Sequence, residues 1–191
     1  SVTTQTDENG DGVIDLTRTD VVTLNADGSK TETVTDVNGT GGSLRDQTAT
    51  ATNASGTSVS ITRNTLGLGY NNQTETIAKA ANGSTADTVS DYAANGSLIK
   101  QSVTTTSANG LTKTVQLDAN GDGVFDVTQA TATVYNADGS TTVTRTETKG
   151  TTVTGSTVVT TAANGLSSTT SMFNGSGTLL DKRTDTKLIN A

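Results

Sequence analysis

The stretch DENGDGVIDLTRTDVVTLNADGS, residues 7–29, carries three signals from which the rest of the chain can be read. It opens on acids and an amide spaced by glycine, passes into LTRTDVVTL, and closes on NADGS. The middle segment is rich in Thr and Val. Such β-branched side chains are stiff about χ1 and pack well on a pleated surface that is half wet. The Asp-Gly near its end is a strong hairpin signal, because tight primed turns need positive φ at their centre. An acidic loop, a strand and a turn therefore follow one another without a helix.

The same punctuation recurs along the chain as NADG, NASG, AANG, SANG, NGDG and FNGSG, mostly about 13–14 residues apart. Removing the turn leaves nine or ten residues for a strand, roughly 30 Å at about 3.3 Å per residue. Longer matches give the hierarchy. GSLRDQTATATNASG (42–56) returns as GSLIKQSVTTTSANG (96–110), an offset of 54, and more weakly as GTLLDKRTDT from 177, a further 81 along. Both offsets are multiples of 27, one up strand plus one down strand. TQTDENGDGVID returns as VQLDANGDGVFD at an offset of 111, and LNADGS as YNADGS. The chain thus divides into a block at 1–111 and a second, partial block at 112–191, expected to form one continuous β array. The predicted fold is all-β: an elongated repeat of antiparallel β-hairpins, a meander that twists or spirals, each unit burying its apolar side against its neighbours as in a solenoid. Candidates for the buried face are Ile14, Leu16, Val22, Leu24, Leu98, Val103, Val115, Leu117, Phe125, Val127 and Tyr135.

Composition agrees with a thin core. Of 191 residues, 30% are hydrophobic and 3% aromatic, and there is no Pro to interrupt a strand. Cys is absent, so neither disulfides nor thiol chemistry holds the chain together. No apolar run is long enough to cross a bilayer, and the first residues, SVTTQT, read as mid-repeat, as in a piece of a longer protein. The net charge of −7 disfavours nucleic acid and suits a cation. With no His or Cys and no Ser-x-x-Lys in a convincing context, no catalytic constellation is expected. Thr-rich stretches such as TTVTRTET are interrupted by Arg145 and Glu147, which disfavours an ice-binding face.

A hairpin turn does not need three carboxylates. Asp7, Asp11 and Asp15 would repel one another, and a hard cation is the natural remedy. The spacing D-x-N-x-D-G-x-x-D offers Asp7, Asn9, Asp11, the Val13 carbonyl and Asp15, and in the second copy Asp118, Asn120, Asp122, the Val124 carbonyl and Asp126. Ca²⁺ takes six to eight such oxygens, whereas Mg²⁺ keeps its waters and Zn²⁺ prefers His and Cys. Two Ca²⁺ sites are therefore expected. An EF-hand would place a Glu twelfth and helices on either side. Here the twelfth residues are Arg18 and Gln129, and the flanks alternate like strands.

The nine-residue loop resembles the calcium loops of integrin α-subunit propeller blades, where a similar pattern closes a β-hairpin. Over most of its length, in strings such as DANGDGVFDVT, VYNADGSTT and GSLIKQSVTTTSANGLTKT, the chain resembles the tandem repeats of very large secreted bacterial calcium-binding surface proteins of the RTX type. The glycine-rich nonapeptide of the RTX β-roll is absent, so the resemblance implies an extender region. DYAANGSLIKQ, VYNADGSTT and MFNGSGTLLDKR also resemble YD repeats of the Rhs type, with Tyr92, Tyr135 and Phe173 at the aromatic position and Ala93, Asn136 and Asn174 in place of the family's Asp. These resemblances imply an extracellular, cell-surface protein in which calcium stiffens a structural spacer beside neighbouring repeats. A glycan- or protein-binding adhesive module and a fragment of an Rhs-like toxin-enclosing shell are the alternatives.

Overall fold

The structure is a computed structural model that describes residues 1–188. It contains fourteen strands: β1 (Val2–Thr6), β2 (Leu16–Leu24), β3 (Lys30–Asn38), β4 (Leu44–Thr52), β5 (Ser58–Asn64), β6 (Gln73–Lys79), β7 (Thr85–Tyr92), β8 (Leu98–Thr106), β9 (Thr112–Asp118), β10 (Val127–Tyr135), β11 (Thr141–Lys149), β12 (Thr152–Thr161), β13 (Ser167–Asn174) and β14 (Leu179–Thr186). Their order in the sheet is their order in the chain, β1 to β14. The fold is an open antiparallel hairpin meander, without helices among the described residues. Most strands run seven to ten residues, as the turn spacing predicts.

The turns differ in kind from the two-residue primed hairpins that Asp-Gly and Asn-Gly suggest. In the β2–β3 turn the Gly28 amide donates to the Asn25 carbonyl (3.0 Å) and the Asn25 amide to the Ser29 carbonyl (2.8 Å). A type I′ turn would need positive φ at both central residues. No non-glycine residue among those described has positive φ, while Gly28 sits at 84°. The turn is therefore a three-residue loop whose glycine takes the left-handed position. Asp27 completes it by accepting from both the amide (2.9 Å) and the hydroxyl (2.6 Å) of Ser29. Asn136–Ser140 repeats this arrangement. Turns reading SANGLT and AANGLS hold one residue more, closing Ser107 onto Thr112 and Ala162 onto Ser167.

Two compact units divide the chain. The first holds Ser1–Ala81, Ala86–Gln101 and Asn120–Asp122; the second holds Asn82–Thr85, Ser102–Ala119 and the chain from Gly123 onward. Within the first, β1 and β2 pair Thr6 with Leu16, Gln5 with Thr17 and Thr4 with Arg18. Within the second, β9 and β10 pair Leu117 with Val127, Gln116 with Thr128 and Val115 with Gln129. Each partner is displaced by the same 111 residues, so the sequence repeat is a repeat of register. It continues through Leu24–Lys30 and Tyr135–Thr141 and through the bulges at Asp36/Val37 and Glu147/Thr148. Beyond them β4–β5 and β12–β13 pair alike at an offset of 109, with Thr52 on Val59 and Thr161 on Ser168. Strands β1–β6 and β9–β14 thus correspond one to one.

The expected apolar face does not form a core. Among the described residues no hydrophobic side chain is buried, and the buried residues are Thr17, Asp36, Asn64, Ser90, Asp118 and Ser140. Val22, Leu24 and Tyr135 are exposed, at 47%, 78% and 70%, while Ile14, Leu16, Leu98, Val103, Val115, Leu117, Phe125 and Val127 are only partly covered. Polar ladders take the place of apolar packing. Arg18 grips Asp36 through Nε and Nη2 (2.8 and 2.6 Å), and Arg63 reaches both Gln73 (2.8 Å) and Glu75 (2.5 Å). Such cross-strand pairs, with the backbone ladder, supply the lateral cohesion of each unit.

Candidate metal loops

The first acidic loop, residues 7–15, joins β1 to β2 and is folded by its own side chains. Asp7 Oδ1 accepts from the Gly10 amide (2.7 Å) and Asp7 Oδ2 from the Gly12 amide (2.8 Å). Asn9 Oδ1 accepts from Asp11 N (2.9 Å) and Asp11 Oδ1 from Val13 N (2.8 Å). Asp15 Oδ2 reaches back to the Glu8 amide (2.9 Å). Gly10 and Gly12 lie at φ of 77° and 86°, where a Cβ would be strained, which lets the chain bend inward between the acids. The Gly12 amide, helped by those of Gly10, Asn9 and Asp11, holds the Asp7 carboxyl below the ordinary carboxylate range against the opposing effect of desolvation.

The second loop, 118–126, repeats three of these bonds at the corresponding residues. Asp118 Oδ2 accepts from Gly123 N (2.8 Å), Asn120 Oδ1 from Asp122 N (3.0 Å) and Asp126 Oδ2 from Ala119 N (2.8 Å). Asn120 Nδ2 also donates to Asp122 Oδ2 (3.1 Å). Both loops are closed at their feet in one way. The Asp15 amide bonds Thr6 O (2.9 Å) as that of Asp126 bonds Leu117 O (2.8 Å), and the Gly39 amide bonds Asp15 O (2.9 Å) as that of Gly150 bonds Asp126 O (3.0 Å).

Every residue expected as a ligand thus lies in one of two short loops of matching connectivity. Val13 and Val124 turn their side chains outward, 63% and 64% exposed, so only their carbonyls could serve an ion. The acids of each loop face backbone amides. Among the described residues no three of His, Cys, Asp and Glu stand together as a metal cluster. The donor chemistry nonetheless fits a hard cation. A carboxylate that accepts one amide keeps lone pairs, and in the first loop Asp11 and Asp15 each engage the backbone through one oxygen only. Binding an ion would draw these oxygens together.

Three supporting contacts were not legible as part of the site. Thr17, nearly buried at 9% exposure, donates through Oγ1 to the Gly39 carbonyl (2.6 Å) and so ties the loop's exit to the β3–β4 connection. Thr128 stands at the same place in the second copy, a recurrence that could have marked the position. Glu8 lies 3.7 Å from Arg45 of β4, a pair without a counterpart where Ala119 replaces the acid. The Arg18–Asp36 pair flanks the first loop and holds the Asp36 carboxyl below its ordinary range through the guanidinium hydrogen bonds.

No protein-family model matches the chain, and no curated protein is similar to it.

Proposed function

We propose that the chain is a structural, calcium-binding repeat module of a secreted bacterial surface, adhesin or matrix protein, in which Ca²⁺ rigidifies the hairpin array. One observation carries the reading. Two nine-residue loops with the same oxygen donors, glycines and closing hydrogen bonds recur at one register of the repeat. Asp7, Asn9, Asp11, Asp15 and the Val13 carbonyl would hold one ion, and Asp118, Asn120, Asp122, Asp126 and the Val124 carbonyl the other. Bound Ca²⁺ would neutralise clustered negative charge, taking the chain from −7 to −3 with two ions. At a free concentration 100 times Kd, mass action adds about 2.7 kcal/mol per site, a large share of the stability expected where no apolar side chain among the described residues is buried. Thermal melting by circular dichroism tests this. A Tm that rises with Ca²⁺ and falls on chelation supports the reading, and a melting curve indifferent to both refutes it.

A second reading, a glycan- or peptide-binding module, draws on an open groove of about 400 Å³ in the second unit. Arg145, Glu147, Met172 and Phe173 line it, offering charge beside apolar surface. Chemical-shift changes at these residues on adding oligosaccharides or peptides would favour it.

A further inference from the structure

The two copies of the repeat share their register but diverge on one face of β11–β13. Arg145 pairs with Thr157 and Thr157 with Met172, so the three form one rung across three strands. The same rung in the first unit is Val34, Thr48 and Arg63. The charged and the apolar side chain have exchanged ends. The adjoining rung sets Glu147 opposite Gly155, where the first unit sets Asp36 opposite Asp46. Gly155 thus leaves the floor beside Glu147 bare. The open groove of about 400 Å³ in the second unit lies over it, between Arg145 and Glu147 on one side and Met172 on the other.

The polar groups of the groove are unequally engaged. Glu147 Oε1 accepts from Thr154 Oγ1 (3.1 Å) and Oε2 from Gln129 Nε2 (3.3 Å), so this carboxylate is already bonded at the rim. Arg145 is exposed, and its Nη2 donates to a neutral acceptor, Gln129 Oε1 (2.5 Å). In the first unit Arg63 is instead paired with the Glu75 carboxylate (2.5 Å). A guanidinium carries five donors in a fork that matches a carboxylate. Met172 is 46% exposed, and its flexible thioether adapts to apolar side chains of varied shape. We infer that the groove binds an extended peptide segment that presents a carboxylate side chain to Arg145 and an aliphatic side chain to Met172. The inference rests on reading the groove as a binding surface and names its occupant.

Geometry sets the spacing of that segment. Two interstrand steps separate Arg145 from Met172, about 10 Å, which an extended chain covers in three residues. The segment therefore has the form acid-x-x-aliphatic and lies across the strands, its backbone over Gly155 and Thr157. A glycan fits less well. Sugar rings pack their C–H faces on aromatic rings, and Phe173 pairs with Ser156, one residue out of step with Met172. Successive side chains alternate between the faces of a sheet, so its ring belongs to the face away from Arg145 and Met172.

Chemical-shift titration of the 191-residue chain tests it, with the blocked peptide acetyl-Ser-Asp-Ser-Ser-Leu-Ser-amide as probe. The signals of Arg145, Gly155 and Met172 should shift and saturate. Peptides with Asn for the Asp, or Ser for the Leu, should bind about tenfold more weakly, the loss of one charge-assisted bond or one apolar contact. Gly155→Asp and Met172→Arg write in the residues of the first unit and should abolish the shifts. A Cβ at Gly155 lies 3.0 Å from the Phe173 carbonyl oxygen, so the first of these needs a small backbone adjustment. Where neither variant folds, the peptide series on the unmodified chain decides alone. No saturable shift with the Asp-x-x-Leu peptide overturns the proposal, as do equal affinity for the Asn peptide and undiminished binding by a folded Gly155→Asp chain. A chito-oligosaccharide that shifts these residues where the peptide does not overturns the peptide occupant and leaves the groove a binding surface. Silence towards both overturns the two readings together.

Discussion

The loops at 7–15 and 118–126 are a comparison made within one chain. Asp7 and Asp118 begin the same motif, follow strands of the same register, and accept the amides of Gly12 and Gly123 at the same distance, 2.8 Å. Yet Asp118 is the most deeply buried residue described, at 1% exposure, while Asp7 is only partly covered. A Cβ added at Gly121 would meet the Leu98 carbonyl oxygen, whereas nothing lies within 4 Å at Gly10. Local sequence sets the hydrogen bonds of such a loop, and the room around its glycine and its first acid still differs between the two copies.

The sharpest way to break this comparison is to add one methyl group to each loop in the presence of EDTA. Gly10→Ala meets only the left-handed backbone strain, about 1–2 kcal/mol. Gly121→Ala meets the same strain and also the Leu98 backbone, which adds about 1–3 kcal/mol of overpacking. Urea unfolding should therefore find Gly121→Ala the costlier, and equal costs would mean that the Leu98 backbone does not press on Gly121. Next in size is the acid itself. Asp118→Ala removes a buried carboxylate together with its bond to the Gly123 amide, at about 2 kcal/mol, while Asp7→Ala removes a partly exposed carboxylate and should lower Tm less.

The smallest effect concerns the pairs that flank the loops. Arg18–Asp36 in the first copy becomes Gln129–Glu147, a single bond of 3.3 Å, in the second. Asp36→Asn loses half of a charge-assisted pair that is open to solvent on its Arg side, worth about 1 kcal/mol. Glu147→Gln should cost less. Since the guanidinium holds the folded pKa of Asp36 below its unfolded value, the stabilisation is present above the ordinary carboxylate range. It is lost as pH falls through the lower, folded value. An acid titration of stability should show the Asp36→Asn chain losing less than the parent over that window.

Much of the fold was legible in residues 7–29 because its signals are local. Alternating Thr and Val give the strand, and a glycine after Asn or Asp gives the reversal. The kind of turn was not legible. Asp27-Gly28 is compatible with either closure, and the choice rests on where the Asn25 and Ser29 backbones meet. The core was misjudged for a related reason. Hydrophobicity alone puts Val22, Leu24 and Tyr135 inside, but in a strand whose contacts are its lateral neighbours, burial follows position in the ladder. Hence Asp36 and Asn64 are covered while Leu24 is not. That these acids and amides gather in two matching loops could be read from spacing alone. The contrast between Asp7 and Asp118 could not, because the local sequence of the two loops is nearly the same.

Calorimetric titration of the chain with Ca²⁺ is the most direct test of the central claim. The account predicts two equivalents bound, one in each loop, and loss of one equivalent in each of Asp7→Ala and Asp118→Ala. Absence of binding heat, or a stoichiometry of two that survives both substitutions, would contradict it.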